Sequence, residues 1–182
     1  MNYVVRKSLE NAVQMEYKAL TDDMTGAYNK NRLIELLNNR ERDGQDIAVI
    51  YWDVNQLKYV NDNWGHLCGD RLITEVAKTI QSIAREEDIV IRYGGDEFLL
   101  YVANGTKEIA EQLIEAWKVR LEEEKKRENY EFPVSASVGY ALGKHSQLKD
   151  IIVAADKDMY ANKRIRRESA NQRDSKKGVN ES

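Results

Sequence analysis

An α+β domain built on a single sheet, with core elements in the order β-α-β-β-α-β, is what this 182-residue sequence predicts, and three observations carry the prediction. The first is Ile47-Ala48-Val49-Ile50-Tyr51-Trp52, a nearly continuous apolar run of the kind that makes a central strand covered on both faces. The second is a pair of apolar runs, 89–91 and 98–102, with Gly94-Gly95 between them, which reads as a β-hairpin. The third is the alternation along Val134-Ser135-Ala136-Ser137-Val138-Gly139-Tyr140-Ala141, a further strand with Pro133 at its start, where a missing N–H matters least. Helical repeats join these strands, so the core is the ferredoxin-like βαββαβ pattern, one sheet with flanking helices.

Composition bounds the rest. With 42% hydrophobic and 32% charged residues the chain can bury a core and stay in solution as one domain with an added helix or tail. A net charge of only −3 argues against nucleic-acid binding by general electrostatics. Cys68 is the single cysteine, so no intrachain disulfide can form, which fits a reducing compartment. No apolar run approaches the ~18 residues that span a bilayer, and Arg6, Lys7 and Glu10 interrupt the N-terminal apolar residues, so no secretion-type core is present. The expected location is the cytoplasm.

Taken in order, residues 1–20 carry Val5, Leu9, Ala12, Val13, Tyr17 and Leu20 at helical spacing. That face fits either a helix packed on its own domain or a connector through which a partner or sensor imposes dimerisation. A polar loop, 21–30, follows, and its Asn29 can cap a helix over 31–40 that buries Leu33, Ile34, Leu36 and Leu37. After the first strand, residues 55–69 read as a polar connection, with Asp70 opening a helix whose Leu72, Ile73, Val76, Ala77, Ile80 and Ile83 form one face. The glycine pair of the hairpin is expected to supply the positive φ of a tight primed turn. Thr106 caps the next helix, with Ile109, Ala110, Leu113, Trp117 and Leu121 buried and the charged run 122–128 as its solvated end. A last helix over 147–164 buries Ile151, Ile152, Ala155 and Met159, with Tyr160 as a further candidate, and the polar tail 168–182 is expected to be disordered.

The chemistry gathers at one end of the sheet. Asp53 ends a rigid buried strand, where open α/β sheets tend to place ligand chemistry, and the hairpin turn throws Asp96 and Glu97 to its rim. Glycine turns followed by solvated acids are common, so these residues count only in their context. Carboxylates of this hard type, with His66 the one close histidine, favour Mg²⁺ or Mn²⁺ over zinc. Gly94 and Gly95 let phosphates approach the backbone. Together they suggest a metal-dependent nucleotide site.

Arg92-Tyr93-Gly94-Gly95-Asp96-Glu97-Phe98 is the signature of the GGDEF family, and residues 21–167 resemble a diguanylate cyclase of the nucleotidyl cyclase-like fold. The resemblance extends to Asp22-Asp23-Met24-Thr25-Gly26 with Asn29, to the Asp…Lys…Asn-Asp…Gly-His…Gly-Asp spacing from Asp53 to Asp70, to Ser135-Ala136-Ser137-Val138-Gly139, and to Ala155-Asp156…Met159-Tyr160…Lys163. It implies a reaction in which two GTP molecules on two facing domains condense to cyclic di-GMP with release of two pyrophosphates. By the same resemblance Asp53, the Val54 carbonyl and Asp96 hold Mg²⁺ (or Mn²⁺), with Glu97 assisting in metal binding or in activating the 3′-hydroxyl. Lys58, Lys163 and Arg167 bind the triphosphate, and Asn61 and Asp70 read guanine. Arg85 and Asp88, an R-x-x-D pair, stand at the family's product-inhibition site.

The sequence departs from the family at Asn55, Leu57, Ala27-Tyr28, Arg166 and Glu168, none of them an expected metal ligand. An active, homodimeric cyclase under an upstream sensor is the first reading. A catalytically weak module sensing cyclic di-GMP or GTP for a partner is the second, and the intact Gly-Gly-Asp-Glu turn weighs against it. A third, an altered product such as cyclic GMP-AMP, is disfavoured by Asp70. Residues 1–20 are then a linker or signalling helix.

Overall fold

The computed structural model describes the backbone of residues 3–177; the side chains of Tyr3, Val4, Leu9, Ala12, Val13, Glu16 and Arg167, and those beyond Glu168, lie outside the described residues. Two helices, α1 (Tyr3–Leu20) and α2 (Lys30–Asn38), precede the first strand, β1 (Asp46–Val54). Then come α3 (Leu57–Trp64), α4 (His66–Ile83), the hairpin strands β2 (Ile89–Arg92) and β3 (Glu97–Ala103), α5 (Lys107–Glu128), β4 (Ala136–Lys144) and α6 (Leu148–Lys177). The sheet order is β2-β3-β1-β4 with every neighbouring pair antiparallel, which is the expected ferredoxin-like arrangement.

The run through β1 is apolar because both faces of this central strand are covered. Ile50, Trp52 and Val54 pack on α4 and α5, while Ile47, Val49 and Tyr51 face α2 and α6. Trp52 and Trp117 meet edge to face at 5.7 Å in the first layer. Each fully buried Ile or Leu here contributes ~1.5–3 kcal/mol relative to exposure. Asn29 and Thr106 cap α2 and α5 as expected, their side chains accepting from the Asn31 and Ile109 N–H groups.

Several expectations are corrected. Residues 55–69 are not a polar connection: they hold α3 and the start of α4, joined by a sharp turn at Gly65 with φ 85°. Of α3 only Val60 is buried, so the apolar repeat that would betray a helix is missing. Ile34 is 54% exposed, on the outer side of α2, and Tyr160 of α6 is exposed as well. Within the charged run, Glu124 is buried beneath Arg120 and Arg127 instead of solvated. The last strand starts and ends later than its alternation suggested, and α6 continues to Lys177, through much of the stretch expected to lack structure.

β4 is an edge strand, and α6 covers its free groups from one face. Asp158 accepts from the Tyr140 N–H at 2.9 Å, and Asn162 and Arg166 donate to the carbonyls of Val138 and Ala136 at 3.0 and 3.4 Å. This ladder places Lys163, the neighbour of Asn162, over the end of β1.

Candidate active site

The register of the sheet sets Asp53 directly opposite Glu97 on β3 and Ser137 on β4. Lys163 on α6 pairs with the Asp53 carboxylate, both side chains being largely buried. A half-desolvated carboxylate at a strand end draws a cation, and the ammonium satisfies it. Beyond Asp53 the Asn55 amide is fixed by Ser135 and Ser137, with Ser137 Oγ donating to Asn55 Oδ1 at 2.9 Å.

Glu97 is held from below. The Tyr51 hydroxyl, two residues before Asp53 and on the same face, donates to Glu97 Oε1 at 2.6 Å. Burial, reinforced by the Glu97 charge, pushes the Tyr51 phenol well above its ordinary range, so it serves as a donor. Tyr93 meets the Tyr51 ring edge-on at 6.0 Å, and Lys30 lies 5.2 Å over the Tyr93 ring.

The turn between β2 and β3 is built differently from the expectation. Positive φ among glycines of the described residues occurs at Gly26 and Gly65, not at Gly94 or Gly95, so the turn is not primed. Its closure comes from the Glu97 carbonyl, which accepts from Tyr93 at 2.8 Å and Gly94 at 3.2 Å. Gly94 leaves room for Glu97: a Cβ there would overlap the Glu97 carboxylate, 3.2 Å from Cδ, and the side chain would have to swing aside. The Asp96 carbonyl accepts from the Val54 N–H at 2.9 Å, tying the turn to the end of β1.

Arg92 locks the outside of the turn. Its guanidinium reaches Asp22 Oδ1 and Oδ2 at 3.0 and 3.2 Å and the Gly95 carbonyl at 2.7 Å. Burial works against the Asp22 charge, but hydrogen bonds from Thr25 and Arg92 outweigh it and hold that carboxyl below its usual range.

A second cluster lies on α3 and α4. A Cβ at Gly69 would strike the Asn61 amide, 2.9 Å from Cγ, so the Asn61 side chain lies against the backbone beside Asp70. Asp70 is not the N-cap: the helix begins at His66, and the Asp70 carboxylate pairs with no side chain among the described residues. Lys58 is exposed in the first turn of α3. Arg167 has its side chain outside the described residues.

Arg85 and Asp88 form a closed staple at the far end of the hairpin. Asp88, with its side chain fully buried, accepts from Arg85 Nε at 2.9 Å, Arg85 Nη2 at 2.7 Å, the Arg85 backbone N–H at 3.0 Å and the Ala103 N–H at 3.2 Å. Arg85 also donates to the Ala103 carbonyl at 2.7 Å, and its hydrogen bond to Asp88 raises its pKa further. Six residue steps along β3, from Ala103 to Glu97, separate this staple from the turn, about 20 Å of strand.

Among the described residues no three or more acids, histidines or cysteines form a ready cage for a metal ion. Mg²⁺ does not need one, since it is commonly held by one or two carboxylates together with water and substrate phosphates. Asp53 facing Glu97 presents hard oxygen donors of that kind, with the Lys163 ammonium paired to Asp53.

Residues 19–169 match the family model described as diguanylate cyclase, GGDEF domain. The chain belongs to the GGDEF family. This GGDEF domain is 35% identical over 148 residues to the probable diguanylate cyclase DgcJ of Escherichia coli (strain K12), covering 79% of the chain and 29% of that relative. To the cyclic di-GMP phosphodiesterase PdeR of the same organism it is 34% identical over 149 residues, covering 80% of the chain and 22% of PdeR. The chain thus spans under a third of the length of these curated relatives. The coiled coil and GGDEF domain of DgcB from Caulobacter crescentus, solved in complex with c-di-GMP, superimposes with TM-score 0.74 at 27% identity over 88% of both chains. Diguanylate cyclase SiaD with its activator SiaC from Pseudomonas aeruginosa gives the same TM-score and identity, over 88% of this chain and 64% of SiaD.

Of the residues singled out from sequence, the GGDEF domain brings Asp53, Glu97 and Lys163 into one cluster and Asn61 beside Asp70 in another. It sets Arg85 and Asp88 apart from both. Sequence reasoning gave no role to Tyr51, Asp22 or Arg92. Tyr51 carried a signal, a polar tip inside an apolar strand at the position two before Asp53. The Asp22 and Arg92 partners are 70 residues apart, and no local pattern joins them.

Proposed function

We propose that this GGDEF domain is a diguanylate cyclase that condenses two GTP molecules to cyclic di-GMP, each GTP held by one of two facing copies of the chain. The observation that carries the reading is the intact Gly-Gly-Asp-Glu turn with Glu97 set opposite Asp53 and Lys163. Asn61 and Asp70 recognise guanine, whose ring N–H and exocyclic amine a carboxylate can accept from. Lys58, Lys163 and Arg167 bind the triphosphate. Asp53, the Val54 carbonyl, Asp96 and Glu97 would hold Mg²⁺ or Mn²⁺, which when bound supplies charge neutralisation at the phosphates.

In each half-reaction the 3′-oxygen of one nucleotide forms a bond to the α-phosphorus of the other, the bond to the β-phosphate bridging oxygen breaks, and pyrophosphate leaves. Glu97 takes up the hydroxyl proton. Such chemistry is mostly positioning and charge stabilisation, which suits a site of carboxylates and lysines. Arg85 and Asp88 form the product-inhibition site, remote from the reacting groups. The exposed Val5, Met15 and Tyr17 of α1 support assembly of two copies or contact with an upstream sensor. No described helix is long and apolar enough to cross a membrane, and the expected setting is the cytoplasm.

One copy holds half of the reactants, so the rate per protein molecule rises with protein concentration until dimers saturate. The test is a dilution series with GTP and Mg²⁺, with the product identified by mass spectrometry. Flat specific activity across the weak-dimer range counts against the two-copy scheme. No product at any concentration, with tight binding of cyclic di-GMP, gives the sensor reading instead.

A further inference from the structure

We propose that Tyr51 is a positioning residue for Glu97: its hydroxyl fixes the Glu97 carboxylate in the orientation the condensation uses. The inference rests on the cyclase reading above and adds to it a residue outside the signature turn.

Tyr51 is only 2% exposed, and its ring belongs to the apolar layer between the sheet and helices α2 and α6. Phenylalanine or leucine would fill that layer equally well. The hydroxyl is therefore surplus to packing, and a buried hydroxyl without a partner is costly. Its side-chain partner among the described residues is Glu97 Oε1, at 2.6 Å. The other carboxylate oxygen, Oε2, lies where a side chain at Gly94 would stand. One oxygen is thus tethered by the phenol and the other rests on bare backbone, which defines the Glu97 side chain from two sides.

The tether has something to oppose. Directly across from Glu97 stands Asp53 with the Lys163 ammonium, a cation toward which an untethered carboxylate would swing. Tyr51 itself is fixed by its edge-on contact with Tyr93 and by the sheet, where its cross-strand neighbours are Leu99 and Gly139. Glu97 is thereby held by the phenol, and among the described residues no ion pair joins it to Lys163.

Tyr51→Phe removes only the oxygen. A hydrogen bond to a charged group is commonly worth a factor of ten or more, so kcat is expected to fall about tenfold while KM for GTP stays within about twofold. The melting temperature should hold, because the ring remains. In a Glu97→Gln background the same substitution should cause little further loss, since the two residues act as a unit. A crystal structure of Tyr51→Phe should show the Glu97 carboxylate displaced or in several rotamers. An unchanged kcat, an equal loss in both backgrounds, or an unmoved carboxylate would each overturn the proposal. Wild type without product would instead overturn the cyclase reading, and the crystallographic comparison would still decide the role of Tyr51.

Discussion

Replacing Gly139 with alanine tests the link between packing and the site. Gly139 lies in β4 beneath α6, and a Cβ there would overlap the Met159 amide and approach the Asp158 carbonyl carbon to 2.6 Å. Both obstacles are helix backbone, which cannot rotate aside, so α6 must move outward. Overpacking of this kind costs about 1–3 kcal/mol. At ~2–4 °C per kcal/mol for a domain of this size, the melting temperature should fall by ~2–12 °C. Lys163 sits one turn beyond Met159, ~6 Å along the helix, and is carried with it. Misplacing a binding group by ~1 Å can cost up to ~100-fold, so product formation should drop at least tenfold. Gly143→Ala is the control: its Cβ would meet the tip of the Ile151 side chain at 2.7 Å, which can turn away, so the loss should be much smaller. Thermal unfolding by circular dichroism and a product assay on both variants decide the matter. Equal effects for the two, or an unshifted melting curve for Gly139→Ala, would refute the packing argument.

Three further outcomes follow from the geometry. Asp22 has a folded pKa below its ordinary 3.8, so its stabilisation is complete above that pH and is lost as the pH falls through the lower folded value. Asp22→Asn should therefore melt below wild type at pH 7, with the gap closing in acid; a constant gap from pH 7 to about 3 would contradict this. Gly94→Ala should push Glu97 aside and lower turnover more than ~10-fold with an almost unchanged melting temperature, and normal turnover would count against the close-approach account. Arg85→Ala should raise the final yield of product at a similar initial rate, while costing ~2 kcal/mol because Asp88 keeps only two backbone donors; an unchanged progress curve would remove Arg85 from inhibition.

Strand identity was legible because burial on two faces leaves an unbroken apolar run, as in 47–52, and both helix caps were readable from side chains that satisfy the first N–H groups. α3 was not: it buries only Val60, and its N-cap residue Gln56 has φ 60° and gives no side-chain cap, so it carries neither signal. The hairpin was visible but its turn type was not, because Gly-Gly fits both a primed turn and a close approach, and only the position of Glu97 distinguishes them. Tyr51 stood out as a polar tip in an apolar run, but what its hydroxyl meets was not legible. Its partner lies 46 residues away, in a register that sheet assembly sets.

Cyclic di-GMP should form from GTP only where the carboxylates at the end of β1 and in the hairpin turn are intact. Purified chain at high concentration with GTP and Mg²⁺, analysed by mass spectrometry beside Asp53→Asn, Asp96→Ala and Glu97→Ala, tests it most directly. Cyclic di-GMP is expected from wild type and none from the three variants, all of them folded. No cyclic di-GMP from wild type, or undiminished product from the variants, would contradict it.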